Sequence, residues 1–275
     1  MTFISYAQNF EDVALWRAMR FFSPGFYIDV GANDPTHDSV TRAYYERGWR
    51  GINIEPVEAY CQALRRERPE DINLQVLVGD REDAVPFYEY PESGLSTASD
   101  DMLAIYEAAG VSLKRREVPM RTLTSICEQY VTGDIHFLKI DVEGLEGAVL
   151  RGMDLTRWRP WVIVIETPFD ESPEWKSVIP DAGYRKVRFD GLNTFYVSEE
   201  HSDLIRGFEM PPSSMDDFRL CEGHALSHPV EEIKARLAEQ ASRAQRAETR
   251  LAEIEGSRWF KLGQRLHPLR KLLRR

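Results

Sequence analysis

Three carboxylates follow one another at the end of an apolar run in "HFLKIDVEGLEGAVLRGM", residues 136–153. Asp141 ends a predicted strand, and Glu143 and Glu146 lie in the first turn of a helix predicted to extend to Arg151. Carboxylates in this position can accept a proton, bind a divalent cation or hold a ligand. They can also complement the helix dipole, with Asp141 as the N-cap, and this simpler interpretation is favoured for Glu146. The motifs elsewhere in the sequence help to distinguish between these alternatives.

Further acids end three predicted strands that come earlier in the chain. Asp29 ends "FYIDV" and precedes a tight turn at Gly31 and Asn33, Glu55 ends "NIE", and Asp80 ends "VLVGD". Ligands bind at the carboxyl edge of parallel sheets, but the G-x-G-x-x-G fingerprint is absent after Gly31, which disfavours a pyrophosphate cradle. An acid before the turn suits an ammonium group, the second acid suits ribose hydroxyls and the third suits an adenine amino group. This set predicts S-adenosylmethionine as the cofactor.

The elements that must position these residues alternate between short apolar strands and helices. Strands are predicted in "GFYIDVG", "RGINIEP", "DINLQVLVGD", "IHFLKIDV" and "PWVIVIET", with helices in "HDSVTRAYYERG" and "VEAYCQALRRERP" between them and a first helix capped by Asn9. Such alternation is typical of a parallel sheet buried on both faces. "GYRKVRFDGLNTFYVS" instead indicates a hairpin around Asp190-Gly191. We predict an α/β fold of the Rossmann-like class I methyltransferase type, mostly parallel with a terminal antiparallel hairpin, plus a C-terminal helical extension.

Four motifs, in their order along the chain, resemble those of the FkbM-type S-adenosylmethionine-dependent methyltransferases. They are "FYIDVGAND", "GWRGINIEP", "GDRE" and "FLKIDVEGLEGAVLRG". The resemblance extends from about residue 4 to residue 208, and "ISYAQNFEDVALWRA" is similar to the leader of one subgroup. It implies O-methylation of a hydroxyl on a sugar or a polyketide-like natural product. It also implies that Asp29, Gly31 and Asn33 hold the methionine part of the cofactor, Glu55 the ribose and Asp80 the adenine.

A sugar hydroxyl stays protonated at neutral pH, so methyl transfer to it requires a base or a metal ion that lowers its pKa. In one version Asp141 or Glu143 takes the proton directly, with His37 assisting from the loop after the first strand. In the other version Asp141 and Glu166, at the ends of neighbouring strands, bind Mg²⁺ through oxygen ligands. The sequence leaves both versions open.

Asp190 and Asn193 flank the predicted hairpin near the same edge of the sheet. Ordinary turn chemistry accounts for both residues, and the alternative is a hydrogen bond to an acceptor sugar. The chain is thus predicted to be an S-adenosylmethionine-dependent O-methyltransferase for a sugar or glycan acceptor in bacterial polysaccharide or glycolipid biosynthesis. The alternatives are a nucleotide-dependent oxidoreductase, disfavoured by the missing glycines, and a non-catalytic scaffold that presents a coiled coil, disfavoured by the strand-end acids.

Composition limits the partners and the compartment. The 275 residues carry a formal charge of −10, which argues against a general nucleic-acid binder. The three cysteines are scattered without a CxxC pair, which favours reduced thiols and a cytoplasmic location. We expect no signal peptide and no membrane-spanning segment, since no long apolar run occurs.

The sequence changes character after residue 210. We predict a methyltransferase domain over 1–210, a connector over 211–230, a coiled-coil-like helix over 231–256 and a basic amphipathic tail over 257–275. From Arg258 to Arg275 there are seven Lys or Arg and no acid. The net charge of the whole chain is −10, so residues 1–257 carry a net charge of −10 − 7 = −17. The heptad pattern predicts a homo-oligomer, and the basic tail with its leucine row predicts peripheral contact with an anionic membrane. Folding of the tail back onto the acidic body is the alternative.

Overall fold

The computed structural model describes residues 2–90, 96–167 and 174–261. In chain order, its strands are β1 (Phe3–Ser5), β2 (Phe26–Val30), β3 (Arg50–Ile54), β4 (Ile72–Leu74), β5 (Leu77–Val78), β6 (Asp83–Glu89), β7 (Lys114–Arg121), β8 (Phe137–Ile140), β9 (Val162–Glu166), β10 (Tyr184–Phe189), β11 (Asn193–Ser198) and β12 (Phe218–Leu220). Its α-helices are α1 (Glu11–Met19), α2 (Arg42–Tyr45), α3 (Glu58–Glu67), α4 (Asp100–Ala108), α5 (Leu123–Tyr130), α6 (Glu146–Arg151), α7 (Val178–Asp181) and α8 (Val230–Gly256). The chain divides into two units, residues 1–224 and 225–275.

A seven-stranded sheet in the order β4-β3-β2-β8-β9-β11-β10 forms the centre of the first unit. The strands β4, β3, β2, β8 and β9 pair in parallel, while β11 pairs antiparallel with both β9 and β10. Between β10 and β11, the carboxylate of Asp190 accepts hydrogen bonds from the backbone of Leu192 and Asn193, and Gly191 adopts a positive φ. The prediction of a parallel-rich α/β sheet with an antiparallel hairpin is confirmed.

Both faces of this sheet are covered. Along β9, Val162 and Val164 pack on the side of α1, while Ile163 and Ile165 pack on the side of α5 and α6. Because successive side chains of a strand point to opposite faces, a strand buried on both faces has to be apolar throughout. This explains the continuous apolar runs in the sequence, and it makes a charged residue inside such a strand conspicuous.

The predicted third strand is wrong in its length and its position. "DINLQVLVGD" forms two strands, because the chain leaves the central sheet after β4 and β5 pairs with β7 in a separate three-stranded sheet. β6 and β7 pair antiparallel in this second sheet, and β7 has no counterpart in the sequence prediction. The helix predicted in "HDSVTRAYYERG" shortens to α2, since most of that segment forms a loop.

The first helix and the predicted connector also differ from expectation. Asn9 does not cap α1, because Phe10 adopts a left-handed conformation at the N-cap and the Asp12 carboxylate turns back to accept hydrogen bonds from Ser5 and Tyr6. Residues 211–224 belong to the first unit, since β12 pairs in parallel with β1 and His224 is buried.

The second unit contains α8, which covers the whole range, 231–256, in which the coiled-coil-like helix is predicted. Its association with another chain stays a prediction. Residues 262–275, which hold most of the predicted basic tail, lie outside the described residues. Among the helices of the described ranges, none combines the length and the apolar character needed to cross a membrane.

Candidate active site

A cavity of about 610 Å³ lies at the carboxyl ends of β2, β3, β8 and β9. Its size falls in the range of small-molecule sites. Among the described residues that line it, eight are acids and one is a lysine, Lys139. The acids are Glu11, Asp29, Asp34, Asp38, Glu55, Asp141, Glu143 and Glu166. Such a surplus of carboxylates favours a ligand with positive charge or with many hydroxyl groups.

One wall of the cavity is the turn after β2. Gly31 adopts a φ of +83°, and a Cβ atom at this position would lie 1.8 Å from the backbone oxygen of Asp141. Asn33 also has a positive φ, and its backbone N–H donates to Oε2 of Glu55 over 2.9 Å, while Val57 donates to Oε1 over 2.7 Å. The turn therefore brings backbone and the Glu55 carboxylate together at the cavity, as the sequence predicts for these three residues.

Asp29 lies deeper, in a network that the sequence did not indicate. It is buried and accepts a hydrogen bond from Thr41 Oγ1, which in turn accepts one from the fully buried guanidinium of Arg68. Arg68 also donates to the backbone oxygen of Pro35. Burial raises the pKa of Asp29, and the bond from Thr41 opposes this shift. Arg68 thus ties α3 to the loop after β2 and fixes that wall of the cavity.

Lys139 and Asp141 form an ion pair at the end of β8. The side chains point the same way because they are two residues apart, and Nζ of Lys139 lies 3.0 Å from Oδ2 of Asp141. Burial acts to raise the pKa of Asp141, but the Lys139 ammonium and a hydrogen bond from Glu166 outweigh it and lower the pKa. For Glu166, burial and the neighbouring Asp141 raise the pKa to about 9. The lowered pKa of Asp141 and the raised pKa of Glu166 favour Glu166 as the member of this pair that holds a proton.

Glu143 lies in a loop rather than in the helix predicted for it. It adopts a φ of +48° and Gly144 one of +96°, so α6 begins only at Glu146 and Leu145 occupies the N-cap. The interpretation of Asp141 as the helix cap is therefore wrong. The loop turns the Glu143 carboxylate into the cavity, where Tyr106 donates to it over 3.4 Å. Burial, together with the charges of Asp141 and Glu146, raises the pKa of Glu143 to about 7.

Asp141, Glu143 and Glu166 together form a carboxylate cluster. One oxygen of each residue lies within 4.8 Å of the other two. Such a group can take up a proton, share one, or provide the oxygen ligands that Mg²⁺ requires. The sequence predicted Asp141 with Glu143 for one role and Asp141 with Glu166 for the other, and the structure brings all three together.

Glu11 is a cavity residue that the sequence analysis missed. It is buried and accepts a hydrogen bond of 2.7 Å from Nδ2 of Asn193. The other amide atom of Asn193, Oδ1, is buried and makes no hydrogen bond to any of the described residues. Burial raises the pKa of Glu11, and the nearby Lys139 opposes the shift. Glu11 thus links α1 to the start of β11 at the cavity wall.

Two of the remaining predicted site residues line the cavity, and two do not. His37 and Asn193 line the cavity. Asp80 does not, since its carboxylate accepts hydrogen bonds from Arg151 over 3.2 Å instead. Asp190 also lies outside the lining, and its bonds to Leu192 and Asn193 are ordinary turn chemistry. The structure therefore does not bring Asp80 or Asp190 to the site.

The parallel-rich α/β sheet with its cavity at the strand ends is consistent with a methyltransferase. The family model described as "Methyltransferase FkbM domain" matches residues 29–186, which is more than half of the chain. The chain belongs to the FkbM methyltransferase family, and methyltransferases in general use S-adenosylmethionine. A search of the curated proteins found no match.

Among solved structures, a crystal structure of monomeric WbdD matches this chain with a TM-score of 0.32 and 12% sequence identity. The match covers 68% of this chain and 39% of that chain, so it spans about two fifths of the WbdD structure. This similarity is too low to support a statement about function.

Proposed function

We propose that this protein is an S-adenosylmethionine-dependent O-methyltransferase of the Rossmann-like class I type, and that its acceptor is a sugar hydroxyl. One observation carries the proposal: a single cavity is lined both by the Gly31 turn with Glu55 and by the carboxylate cluster. The turn with Glu55 suits the cofactor, and the cluster suits a reaction that releases a proton. The sheet order, with β11 antiparallel beside β9, supports the class I assignment.

The residues at the Gly31 turn fit S-adenosylmethionine. Each oxygen of Glu55 accepts one backbone hydrogen bond, and a carboxylate has further lone pairs that can accept from two ribose hydroxyls. The apolar side chains of Val57, Leu77 and Phe87 line the cavity nearby and suit a flat base. The surplus of acids suits the positive charge of the cofactor. When bound, the cofactor supplies an activated methyl group.

The carboxylate cluster accepts the proton that the acceptor hydroxyl loses. Glu143 is the best placed, because its loop turns it into the cavity and its pKa of about 7 matches a base that works near neutral pH. Asp141 is held by Lys139 and by Glu166, so it orients the cluster and keeps a negative charge beside the reacting hydroxyl. In the direct version, Glu143 would accept the proton of the acceptor hydroxyl, and the cofactor held at the Gly31 turn would supply the methyl group and leave as neutral S-adenosylhomocysteine.

The metal version uses the same cluster with Mg²⁺ bound to Asp141 and Glu166. Chelation separates the two versions. Full turnover after EDTA treatment rules out the metal, whereas loss of turnover that added Mg²⁺ restores supports it. Binding of Mg²⁺ by calorimetry in the Asp141→Asn variant, compared with the parent, provides a second readout that does not depend on turnover.

The charge of the cavity supports a neutral acceptor. Eight acids against one lysine repel a pyrophosphate, while carboxylates are good acceptors for the hydrogen bonds of sugar hydroxyls. We infer that a glycan of a bacterial polysaccharide or glycolipid fits this cavity better than a free sugar nucleotide does. Such an acceptor suits a cytoplasmic enzyme that the basic C-terminal tail brings to a membrane surface.

The test is label transfer from methyl-labelled S-adenosylmethionine to a panel of neutral glycans and sugar nucleotides. We expect label in a neutral glycan. If calorimetry detects the cofactor but no sugar takes label, the acceptor class is wrong while the enzyme class survives. Binding of NAD(H) in place of S-adenosylmethionine would support an oxidoreductase. If neither cofactor binds, the proposal fails and a scaffold becomes the better interpretation.

A further inference from the structure

The helix α8 carries an apolar stripe that is exposed to solvent. The helix has 27 residues, which gives a length of about 40 Å at 1.5 Å per residue. Ile233 and Leu237 near its start are 54% and 65% exposed, and Leu251 and Ile254 near its end are 56% and 49% exposed. An isolated surface helix would not benefit from large exposed apolar side chains at heptad spacing, so the stripe points to a partner helix.

The stripe follows the a and d positions of a coiled coil. The a positions are Val230, Leu237, Ala244 and Leu251, and the d positions are Ile233, Gln240, Ala247 and Ile254. Large side chains stand at both ends, while Gln240 and two alanines stand in the middle. A polar residue at one core position favours a register in which it meets its own copy, at a cost in stability. The pattern therefore indicates a weak association with a defined register.

The charges beside the stripe select the direction of the partner. Arg243 and Arg250 occupy g positions, and Glu248 and Glu255 occupy e positions, all of them exposed. In a parallel in-register pair, each g residue faces the e residue that lies five positions further along the other helix. Arg243 then meets Glu248 of the second copy, and Arg250 meets Glu255. In a fully overlapped antiparallel pair, g faces g and e faces e. Arg243 then meets its own copy and Arg250 meets Arg236, so the g contacts repel, and only the contact of Glu248 with Lys234 is attractive.

We propose that α8 pairs with α8 of a second copy of this chain as a parallel, in-register, two-stranded coiled coil. The apolar stripe provides the burial, Gln240 fixes the register, and the arginine–glutamate pairs fix the direction. A parallel pair carries both basic segments that begin at Arg258 at the same end, so that they act together on one surface. This assembly does not depend on the proposed methyl transfer, and its test can fail independently of it.

The first test is the mass of the full-length protein by sedimentation equilibrium over a range of concentrations. The parent is expected to be a concentration-dependent dimer. Reversal of both g residues, Arg243→Glu with Arg250→Glu, is expected to raise the dimer dissociation constant by about tenfold or more. The further changes Glu248→Arg and Glu255→Arg in the same chain exchange the two signs and are expected to restore the dimer.

A matched control reverses charges on the outer face of the same helix. Arg246 and Glu253 occupy c positions, away from the partner in either direction, so Arg246→Glu with Glu253→Arg leaves the mass unchanged. A parent that stays monomeric into the millimolar range would overturn the proposal. A dimer that the g reversal does not weaken would overturn it too, because an antiparallel pair already has like charges in contact.

The direction is tested by oxidative cross-linking. Ile254 lies at a d position near one end, so Ile254→Cys faces its own copy in a parallel pair and forms a disulfide-linked dimer. In a fully overlapped antiparallel pair it faces the a position Val230, and no such dimer forms. The parent is the control, since Cys61, Cys127 and Cys221 are all buried. A parent that dimerises while Ile254→Cys fails to cross-link would contradict the parallel direction.

Discussion

The ammonium of Lys139 lies 3.0 Å from Oδ2 of Asp141, inside a strand that is otherwise apolar. Lys139 is 4% exposed, and it faces the carboxyl groups of Glu166 and Glu11 as well as that of Asp141. These charges raise its pKa, although burial opposes them, so the lysine stays charged. The positive charge of this buried lysine therefore stabilises the three acidic side chains that surround it.

Removal of this lysine is expected to affect both stability and the pH profile. In Lys139→Met the buried acids lose their counter-charge, which costs about 3–5 kcal/mol of unfolding free energy. Lys139 also lowers the pKa of Glu143, the proposed base, so its removal raises that pKa and moves the acid limb of the kcat/KM profile to higher pH. Lys139→Arg keeps the charge and limits both effects. The exposed Lys114 provides a control, and an unshifted profile in Lys139→Met would contradict this role.

Replacement of the proposed base should separate chemistry from binding. We expect Glu143→Gln to lower kcat by about 10²- to 10⁴-fold, the usual contribution of a general base. The affinity for S-adenosylmethionine, measured by calorimetry, should change little because Glu55 and the Gly31 turn remain. Glu107→Gln, an exposed glutamate on the neighbouring helix α4, serves as the control. A Glu143→Gln variant with the parent kcat would assign the proton to another group.

A methyl group at Gly31 should abolish cofactor binding. The new Cβ would lie 1.8 Å from the backbone oxygen of Asp141, so the turn after β2 has to move away from β8. Gly48→Ala is a matched control, because Gly48 has a similar φ of +85° but no atom of the described part of the chain lies within 4 Å of its Cβ position. Both changes strain the backbone, and only the first disturbs the cavity. Equal loss of cofactor affinity in the two variants would show that strain alone is responsible.

The buried acids predict an unusual dependence of stability on pH. Burial raises the pKa of Asp12, Glu55 and Glu143 to about 7, from 3.8 for aspartate and 4.5 for glutamate. The native state thus binds these protons more tightly than the unfolded state. Stability therefore increases as the pH falls through 7. Asp141 does not change this, because its lowered pKa lies far below that window.

Thermal unfolding of the cofactor-free protein checks this prediction. Tm is expected to rise when the pH is lowered from about 8 to about 6. Glu55→Gln removes one of the three groups and should flatten the dependence. Cofactor affinity is expected to move the opposite way, since ribose hydroxyls donate to the ionised form of Glu55. A Tm that falls over the same interval would contradict the assigned burial of these acids.

The sequence predicted the central strands well because they are buried on both faces. β2, β3, β8 and β9 have continuous apolar runs, and the acids Asp29, Glu55, Asp141 and Glu166 follow from the ends of those runs. The sequence pattern predicts Asp80 at the cavity because "DINLQVLVGD" has the apolar character of one continuous strand. The chain leaves the sheet after Leu74, so the acid at the end of the run belongs to another sheet.

Two parts of the site depend on features that sequence patterns do not contain. The left-handed conformation of Glu143 has no local signature apart from the glycine that follows it, so the sequence predicts the helix start three residues too early, at Glu143 instead of Glu146. Glu11 reaches the cavity through a hydrogen bond to Asn193, which lies 182 residues away in the chain. Periodicity describes neighbours along an element, and it cannot reveal such a contact.

The central claim is that the methyl group goes to a sugar oxygen beside the carboxylate cluster. The most direct measurement is NMR of the product formed from ¹³C-methyl S-adenosylmethionine and the glycan that takes up label. The parent should give an O-methyl signal on a sugar ring, and the Asp141→Asn, Glu143→Gln double variant should give almost none while it still binds the cofactor. A methyl group on nitrogen, or equal O-methylation by the double variant, would contradict the account.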